Sequence, residues 1–167
     1  MSGELQVWLH GSLVGQLTWR EGRLSFTYAE GWLASQRASP LSQSLPLQQL
    51  PFDASQSRPF FAGLLPEAGV RRVLARRLQI SDRNDFELLE VLGGECAGAV
   101  TFWPTGSVPP SLGGRESVSW LSDAELADIL ADLPHRPLMA GSEGLRLSLA
   151  GAQDKLPVVV AEGRIGL

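Results

Sequence analysis

Apolar and polar positions alternate through most of the first 28 residues, a period of two that is typical of β-strands with one buried face. The alternating runs cover residues 5–9, 14–19 and 24–28. His10-Gly11-Ser12 and Glu21-Gly22 separate them, and short polar segments containing glycine favour tight hairpins. The pattern therefore predicts a three-stranded antiparallel meander.

Residues 34–57 have no helical period and contain Pro40, Pro46 and Pro51. Proline has no backbone N–H, so it disrupts both the interior of a helix and a central strand. We expect extended segments and loops in this stretch.

A helix is predicted to begin at Pro66-Glu67, because proline suits the first turn and an acidic residue is favoured near the positive helix end. Residues 71–77 of this helix carry four arginines. They suggest either a solvated face or a contact to an acidic partner or nucleic acid, whereas Arg77 falls near the apolar stripe and is expected to be structural. The stripe consists of Val70, Val73, Leu74 and Leu78.

A second helix is predicted to have Ser81 or Asp82 as its N-cap and to end at Gly93-Gly94, where glycine allows left-handed backbone. Residues 96–102 follow as a strand. The glycines lead into a strand and not into a helix, so a C-cap with tight strand packing explains them better than a phosphate site. The residues that this helix should bury are Phe86, Leu89 and Leu92.

A connector is predicted from residue 104 to 116, since these thirteen residues include three prolines and three glycines. Ser122 and Glu125 then form a capping box, with Leu121 facing Leu126 as a hydrophobic staple. This helix should end at Pro134 and bury one stripe. The stripe consists of Leu126, Ile129, Leu130 and Leu133.

The last part of the chain predicts a strand at residues 145–149, a loop of small residues at 150–154 and a strand at 155–160 that ends at Glu162-Gly163. Small residues allow backbone N–H groups to approach a polyphosphate closely. The loop has one glycine and matches neither GxGxxG nor the Walker pattern, so an ordinary hairpin with Lys155 as a solvated lysine is the alternative.

The composition of the chain bears on disulfides, metal sites, polyanion binding and cellular location. A single cysteine, Cys96, and two histidines provide neither a disulfide framework nor a metal-binding cluster, and Cys96 is expected to be a small buried hydrophobe. A net charge of −4 does not suit a strong polyanion binder. We expect a cytoplasmic protein, because there is no apolar run of membrane-spanning length and no secretory layout at the N-terminus.

Several segments resemble the N-terminal half of HipA-type serine/threonine protein kinases. Residues 147–155, Leu-Ser-Leu-Ala-Gly-Ala-Gln-Asp-Lys, are similar to the family segment S-x-A-G-A-Q-[ED]-K. Residues 32–33, 40–47, 60–67 and 93–100 also look like this family and occur in the same order. The resemblance spans nearly the whole chain.

The resemblance implies an α+β fold: an antiparallel β-rich N-terminal subdomain with packed helices at residues 1–103, a connector at 104–117, and the start of a kinase-like N-lobe at 118–167. It further implies that Ser148 is a regulatory autophosphorylation site, whose phosphate would repel the nucleotide's own phosphates. ATP and Mg²⁺ are the cofactors of the full-length family. The residues expected to contact ATP are Ala150, Gly151, Ala152, Gln153, Asp154 and Lys155.

A kinase of this class also needs a phosphate-pairing lysine, an aspartate base and magnesium ligands, which the family carries downstream of the segment seen here. We therefore expect the chain alone to bind no cofactor and to be inactive: a fragment of a toxin kinase that phosphorylates a translation-related protein. The alternative is a non-catalytic docking module. Expected partners are a helix-turn-helix antitoxin like HipB or the remaining kinase core, with DNA contacted only indirectly and no membrane. An unrelated small α/β domain without a ligand is the remaining alternative.

Overall fold

The computed structural model of the chain describes residues 2–95, 99–107, 118–132, 156 and 158–167. An antiparallel sheet at the start of the chain is followed by helices and further strands, so the fold is α+β, as the sequence predicts. The elements in chain order are β1 (Gly3–Leu9), β2 (Ser12–Arg20), β3 (Arg23–Tyr28), α1 (Glu30–Leu33), α2 (Ala54–Gly63), α3 (Ala68–Leu78), α4 (Asp85–Leu92), a 3₁₀ turn (Gly93–Glu95), β4 (Val100–Pro104), α5 (Asp123–Asp132), β5 (Val159–Ala161) and β6 (Arg164–Gly166).

The predicted meander is confirmed: β1, β2 and β3 pair antiparallel through two tight turns. His10 and Gly11 have φ angles of 48° and 74°, and Glu21 and Gly22 have 51° and 78°. Two successive left-handed residues are the geometry of type I′ hairpins, whose twist matches that of the strands. Strand β4 pairs antiparallel with β1, so the sheet order is β3-β2-β1-β4. The predicted strand at 96–102 is therefore found at Val100–Pro104, and residues 96–98 lie outside the described part.

The core lies on one face of this sheet, where aromatic side chains from strands and helices meet. The Phe61 ring from α2 lies 5.2 Å from that of Phe26 and 5.8 Å from that of Phe102, measured between ring centroids. Tyr28 contacts Phe26 edge-on at 4.8 Å. Since Phe26, Phe61 and Phe102 are fully or almost fully buried, burial of these rings is a main source of stability.

The expectation of loops throughout residues 34–57 is wrong at its end, because α2 begins at Ala54. Asp53 caps this helix: its carboxylate accepts hydrogen bonds from Ser55 N at 2.8 Å and Gln56 N at 3.1 Å. Pro59 lies inside the helix. Its missing N–H leaves one backbone carbonyl without its helical donor, and the cap and the burial of Phe61 offset this loss.

The remaining loop, up to residue 53, is fixed to the sheet by polar contacts. Tyr28 donates its hydroxyl hydrogen to the Leu45 carbonyl at 2.6 Å and accepts from the Leu41 N–H at 2.8 Å. Phe52 exchanges two backbone hydrogen bonds with Phe26, at 2.8 and 3.2 Å. The loop is therefore ordered by β3, although its sequence has no period.

Helix α3 lies where the sequence predicts it, but its buried face is rotated. Leu74 and Ala75 are buried, whereas Val73 is 46% exposed, so its assignment to the buried stripe is wrong. Val70 and Leu78 pack against the core as partly buried residues. The helix ends at Gln79, which adopts the left-handed conformation with φ 57°.

Helix α4 buries Phe86, Leu89 and Leu92 as predicted. Its N-cap is Asn84, which accepts from Glu87 N at 3.3 Å, and not Ser81 or Asp82. The expectation of left-handed backbone at the glycines is also wrong, because Gly93 is right-handed with φ −72°. A Cβ on Gly93 would lie 2.5 Å from the Phe102 Cβ, so glycine is needed here for close helix–strand approach.

The capping box of α5 is confirmed: Ser122 N donates to Glu125 Oε2 at 2.8 Å, and Glu125 N donates to Ser122 Oγ at 3.3 Å. The predicted buried stripe is not found in the described residues, because Leu130 is 50% exposed. Leu126 and Ile129 are half-buried, and Leu133 and Pro134 lie outside the described part.

Candidate functional site

The segment with the clearest expected chemistry is residues 148–155. Ser148 and the predicted phosphate-contacting residues all lie outside the described part of the chain, as does Cys96. These residues therefore remain sequence-based predictions. The predicted phosphate-contacting residues are Ala150, Gly151, Ala152, Gln153, Asp154 and Lys155.

The described residues that follow this segment form a small antiparallel unit. Strands β5 and β6 pair through a turn at Glu162 and Gly163, whose φ angles of 50° and 72° are again those of a type I′ hairpin. Ser119 and Leu167 exchange two backbone hydrogen bonds, at 2.8 and 3.0 Å. The expected strand at 155–160 is thus found at Val159–Ala161. Residues near Ser119 pair with the end of the chain beside β6 and add a short third segment to this sheet.

Two side-chain features shape this unit. The Arg164 guanidinium lies 4.8 Å from the centroid of the Trp120 ring, a cation–π distance. In addition, Val158, Val159 and Val160 are 40% to 68% exposed. Among the described strands β5 pairs only with β6. An apolar edge strand favours further β-pairing, so β5 is suited to be covered by another part of the protein.

A buried ion cluster joins three helices of the larger unit. Asp85, in the first turn of α4, is 3% exposed and accepts a hydrogen bond from Arg58 Nε of α2 at 2.6 Å. Arg71 of α3 donates to the other carboxylate oxygen, and its Nε donates to the Asp82 carbonyl at 2.7 Å. Two guanidinium groups thus neutralise one buried carboxylate.

This cluster corrects the interpretation of the arginine stretch. Arg77, predicted to be structural, is exposed, whereas Arg71 is the arginine whose side chain is largely buried, at 16% exposure. The sequence does not reveal the role of Asp85, because its two partners lie 14 and 27 residues away. The only indication of this cluster in the sequence is that two neighbouring helices, α2 and α3, each carry arginine.

The other arginines of α3 point away from the core. Arg72, Arg76 and Arg77 are exposed, and neither ion pair found among the described residues involves them. Helix α3 contains no acidic residue that could neutralise them locally. This exposed basic face is available for a partner.

Other predicted candidates are unremarkable where the structure describes them. His10 is a turn residue with φ 48°. Nor do the described residues bring three or more His, Cys, Asp or Glu side chains together as a metal site would. In the parts of the chain described here, no helix combines the length and the apolar character that crossing a bilayer requires.

Comparison with known proteins assigns residues 5–103 to the HipA N-terminal domain. The chain is 47% identical over 166 residues to a putative kinase, Y4mE, of Sinorhizobium fredii, covering 98% of this chain and 40% of that protein. It is 29% identical over 154 residues to the serine/threonine-protein kinase toxin HipA of Shewanella oneidensis, covering 91% of this chain and 34% of the toxin.

A shorter relative is an uncharacterised protein of Haemophilus influenzae, 30% identical over 95 residues that make up 57% of this chain and 86% of that protein. Among solved structures, a complex of Shewanella oneidensis HipA, HipB and operator DNA contains a chain that matches 97% of this one, with a TM-score of 0.72 and 26% identity. The match covers 37% of that chain, so the present chain spans well under half of its kinase relatives. The domain match and these relatives together show that the chain belongs to the HipA family.

Proposed function

We propose that this chain is the N-terminal part of a HipA-type serine/threonine protein kinase toxin. The observation that supports this most is the 47% identity to a putative kinase, which covers 98% of the chain. That similarity extends far beyond the HipA N-terminal domain at residues 5–103 and, at such coverage, includes residues 148–155. A chain that used the N-terminal domain only for docking would not need this additional segment.

In this proposal, the backbone of residues 150–155 contacts the phosphates of ATP, with Mg²⁺ bound by groups outside the chain. Lys155 directly follows residues 150–154 in the sequence, where a cation would add to phosphate binding. The catalytic base and metal ligands belong to the part of the kinase that this chain does not span. The proposed division is an N-terminal subdomain at 1–103, a connector at 104–117 and the start of the kinase lobe at 118–167.

We further propose that phosphorylation of Ser148 switches the kinase off. A phosphate carries nearly two negative charges and would lie two residues before a loop that must accept the phosphates of ATP. The proposed partner is a helix-turn-helix antitoxin like HipB, supported by the structural relative in complex with HipB and operator DNA. The proposed substrate is a cytoplasmic protein of the translation machinery.

A non-catalytic docking module is the second candidate. It is favoured by the Haemophilus influenzae relative, in which the region similar to this chain makes up 86% of the protein. A HipA-like N-terminal region therefore occurs there with little else. Such a module would bind a kinase core or an antitoxin without contacting ATP.

Intact mass spectrometry of the native protein, followed by titration with ATP and Mg²⁺, distinguishes the two candidates. The kinase proposal predicts a mass well above the 18.0 kDa of this chain and saturable ATP binding. A native mass near 18.0 kDa without ATP binding would contradict it and support the docking module.

A further inference from the structure

Helix α3 exposes three arginines that nothing within the helix neutralises. They are Arg72, Arg76 and Arg77, and no acidic residue lies three or four positions from any of them. Arg72 and Arg76 are themselves four residues apart, a spacing at which like charges repel on a helix surface. The helix dipole favours cations in the last turn, which accounts for Arg76 and Arg77 but not for Arg72. The stability of α3 therefore does not explain why Arg72 stands beside Arg76.

These arginines flank an exposed valine on one side of the helix. At 3.6 residues per turn, about 40° separates Arg72 from Arg76, and about 60° separates Arg76 from Val73. Arg77 lies about 40° beyond Val73. These four residues form one continuous surface on the side of α3 away from the buried Leu74, and we call it the arginine face. Val73 is 46% exposed within it.

The arginine face is held in position from the opposite side of α3. Leu74 and Ala75 are buried in the core, and the side chain of Arg71 donates to the Asp85 carboxylate of α4. A surface carried by a helix that is anchored in this way is preorganised. A partner that binds it therefore loses little free energy to ordering the backbone of this chain.

We propose that the arginine face binds an acidic helix of a partner protein. Arginine forms paired, geometrically matched hydrogen bonds with carboxylates, and it is enriched among the residues that dominate interface affinity. Arg72 and Arg76 are about 6 Å apart along the axis of α3, the separation of two carboxylates placed four residues apart on a partner helix. An apolar side chain beside those carboxylates would cover Val73 and exclude water from the ion pairs, which strengthens them.

An arginine-rich helix also suits the phosphates of a nucleic acid, but two observations favour a protein. Val73 occupies the middle of the arginine face, and an exposed apolar side chain adds nothing to phosphate binding. The chain as a whole has a net charge of −4, which opposes the approach of a long polyanion more strongly than that of a short acidic helix. Exposed arginine beside an apolar residue is typical of protein interfaces.

The test is binding of a synthetic helix to the native protein, measured by fluorescence anisotropy at low salt. The probe is a labelled peptide of about 15 residues, long enough to form a helix, with glutamates four residues apart, leucines beside them and alanine elsewhere. A second peptide carries glutamine in place of each glutamate. The proposal predicts saturable binding of the glutamate peptide, weakening as salt screens the pairs, and roughly tenfold weaker binding of the glutamine peptide.

Substitutions in the arginine face should weaken binding of the glutamate peptide. R72E/R76E should weaken it roughly tenfold or more, and R72Q/R76Q, which places no acidic residue near the negative helix end, roughly fivefold. Replacing Val73 by serine should weaken it severalfold. The matched control R20E/R23E alters two exposed arginines of the β2–β3 turn and should leave binding unchanged. Circular dichroism checks that each variant is folded.

A charge exchange gives the decisive result. R72E/R76E should bind a third peptide, in which lysine replaces each glutamate, and the unaltered protein should not. Failure of the glutamate peptide to bind, equal binding of the glutamine peptide, equal effects of R72E/R76E and R20E/R23E, or no binding in the charge exchange would each overturn the proposal. So would tighter binding of a DNA duplex that R72Q/R76Q abolishes, because it would assign the arginine face to nucleic acid. The proposal is independent of ATP binding.

Discussion

The Asp85 carboxylate lies 2.6 Å from Arg58 Nε, linking the start of α4 to α2. The two partners differ in their surroundings, since the Asp85 side chain is 4% exposed and that of Arg58 is 59% exposed. Arg71 completes the cluster from α3. A single carboxylate therefore links three consecutive helices of the chain.

Asp85→Ala should lower the free energy of unfolding by about 3 kcal/mol, because it leaves the largely buried Arg71 without its counter-ion. Arg58→Ala should cost less than about 1 kcal/mol, since an exposed partner adds little. Urea denaturation of both variants gives the comparison. Equal losses would contradict the assignment of Asp85 as the centre of the cluster.

Tyr28→Phe removes the hydroxyl that bridges the Leu45 carbonyl and the Leu41 N–H. We expect a loss of about 1–3 kcal/mol, because the Leu45 carbonyl would lose its donor in a buried setting. Limited proteolysis should also cut the loop at residues 34–53 faster in this variant. Unchanged stability together with unchanged proteolysis would show that the bridge does not fix the loop.

The Tyr28 hydroxyl also predicts an alkaline effect. Burial raises the pKa of Tyr28 above 10.0, outweighing the Leu41 hydrogen bond, which lowers it. The neutral phenol is thus favoured in the folded state. The stability that the Tyr28 hydroxyl contributes is fully present below the ordinary tyrosine pKa, and it is lost as pH rises through the raised pKa of the folded state. Urea midpoints at pH 9 to 11 should fall more for the unaltered chain than for Tyr28→Phe, and identical slopes would contradict this.

Gly93→Ala should destabilise the chain by about 1–3 kcal/mol, because the added Cβ would overlap Phe102 in a packed core. Gly63→Ala is the matched control: a Cβ there meets nothing within 4 Å, so it should be neutral or slightly stabilising. Thermal unfolding of both variants tests the close approach of α4 and β4. The interpretation fails if both alanines have the same effect.

The cap of α2 predicts an acid effect of the opposite sign. Hydrogen bonds from the Ser55 hydroxyl and then the Gln56 N–H hold the pKa of Asp53 below 3.8. A lowered pKa contributes stability above the unfolded value, and this is lost as pH falls through the folded value. Asp53→Ala should therefore lower the urea midpoint at pH 7 and have less effect at pH 2. An equal effect at both pH values would argue against the cap.

The alternation of residues 5–28 was sufficient to predict the meander, because a period of two and glycine-containing turns leave few other structures. The Asp53–Gln56 pair of the α2 capping box is also present in the sequence. The neighbouring prolines, however, favoured the prediction of a loop at these residues. The rotation of α3 was not readable. On the observed helix, Arg71 contacts Asp85 of another helix and Val73 is exposed, and a contact between two helices is not visible in the period of one.

The candidate site divides in a similar way. The family motif at residues 147–155 predicts a phosphate loop from the order and composition of its residues. The geometry and the electrostatic environment of Ser148 depend on neighbours that lie outside the described residues.

The most direct test of the central claim is the ATP affinity of the native protein with Ser148→Asp, measured by calorimetry in the presence of Mg²⁺. Ser39→Asp, an exposed serine of the N-terminal domain, is the matched control. If residues 148–155 form the phosphate loop, the unaltered protein and Ser39→Asp bind ATP equally, and Ser148→Asp binds at least tenfold more weakly through charge repulsion. Equal ATP affinity in all three proteins, or no ATP binding by the native protein, would contradict the account.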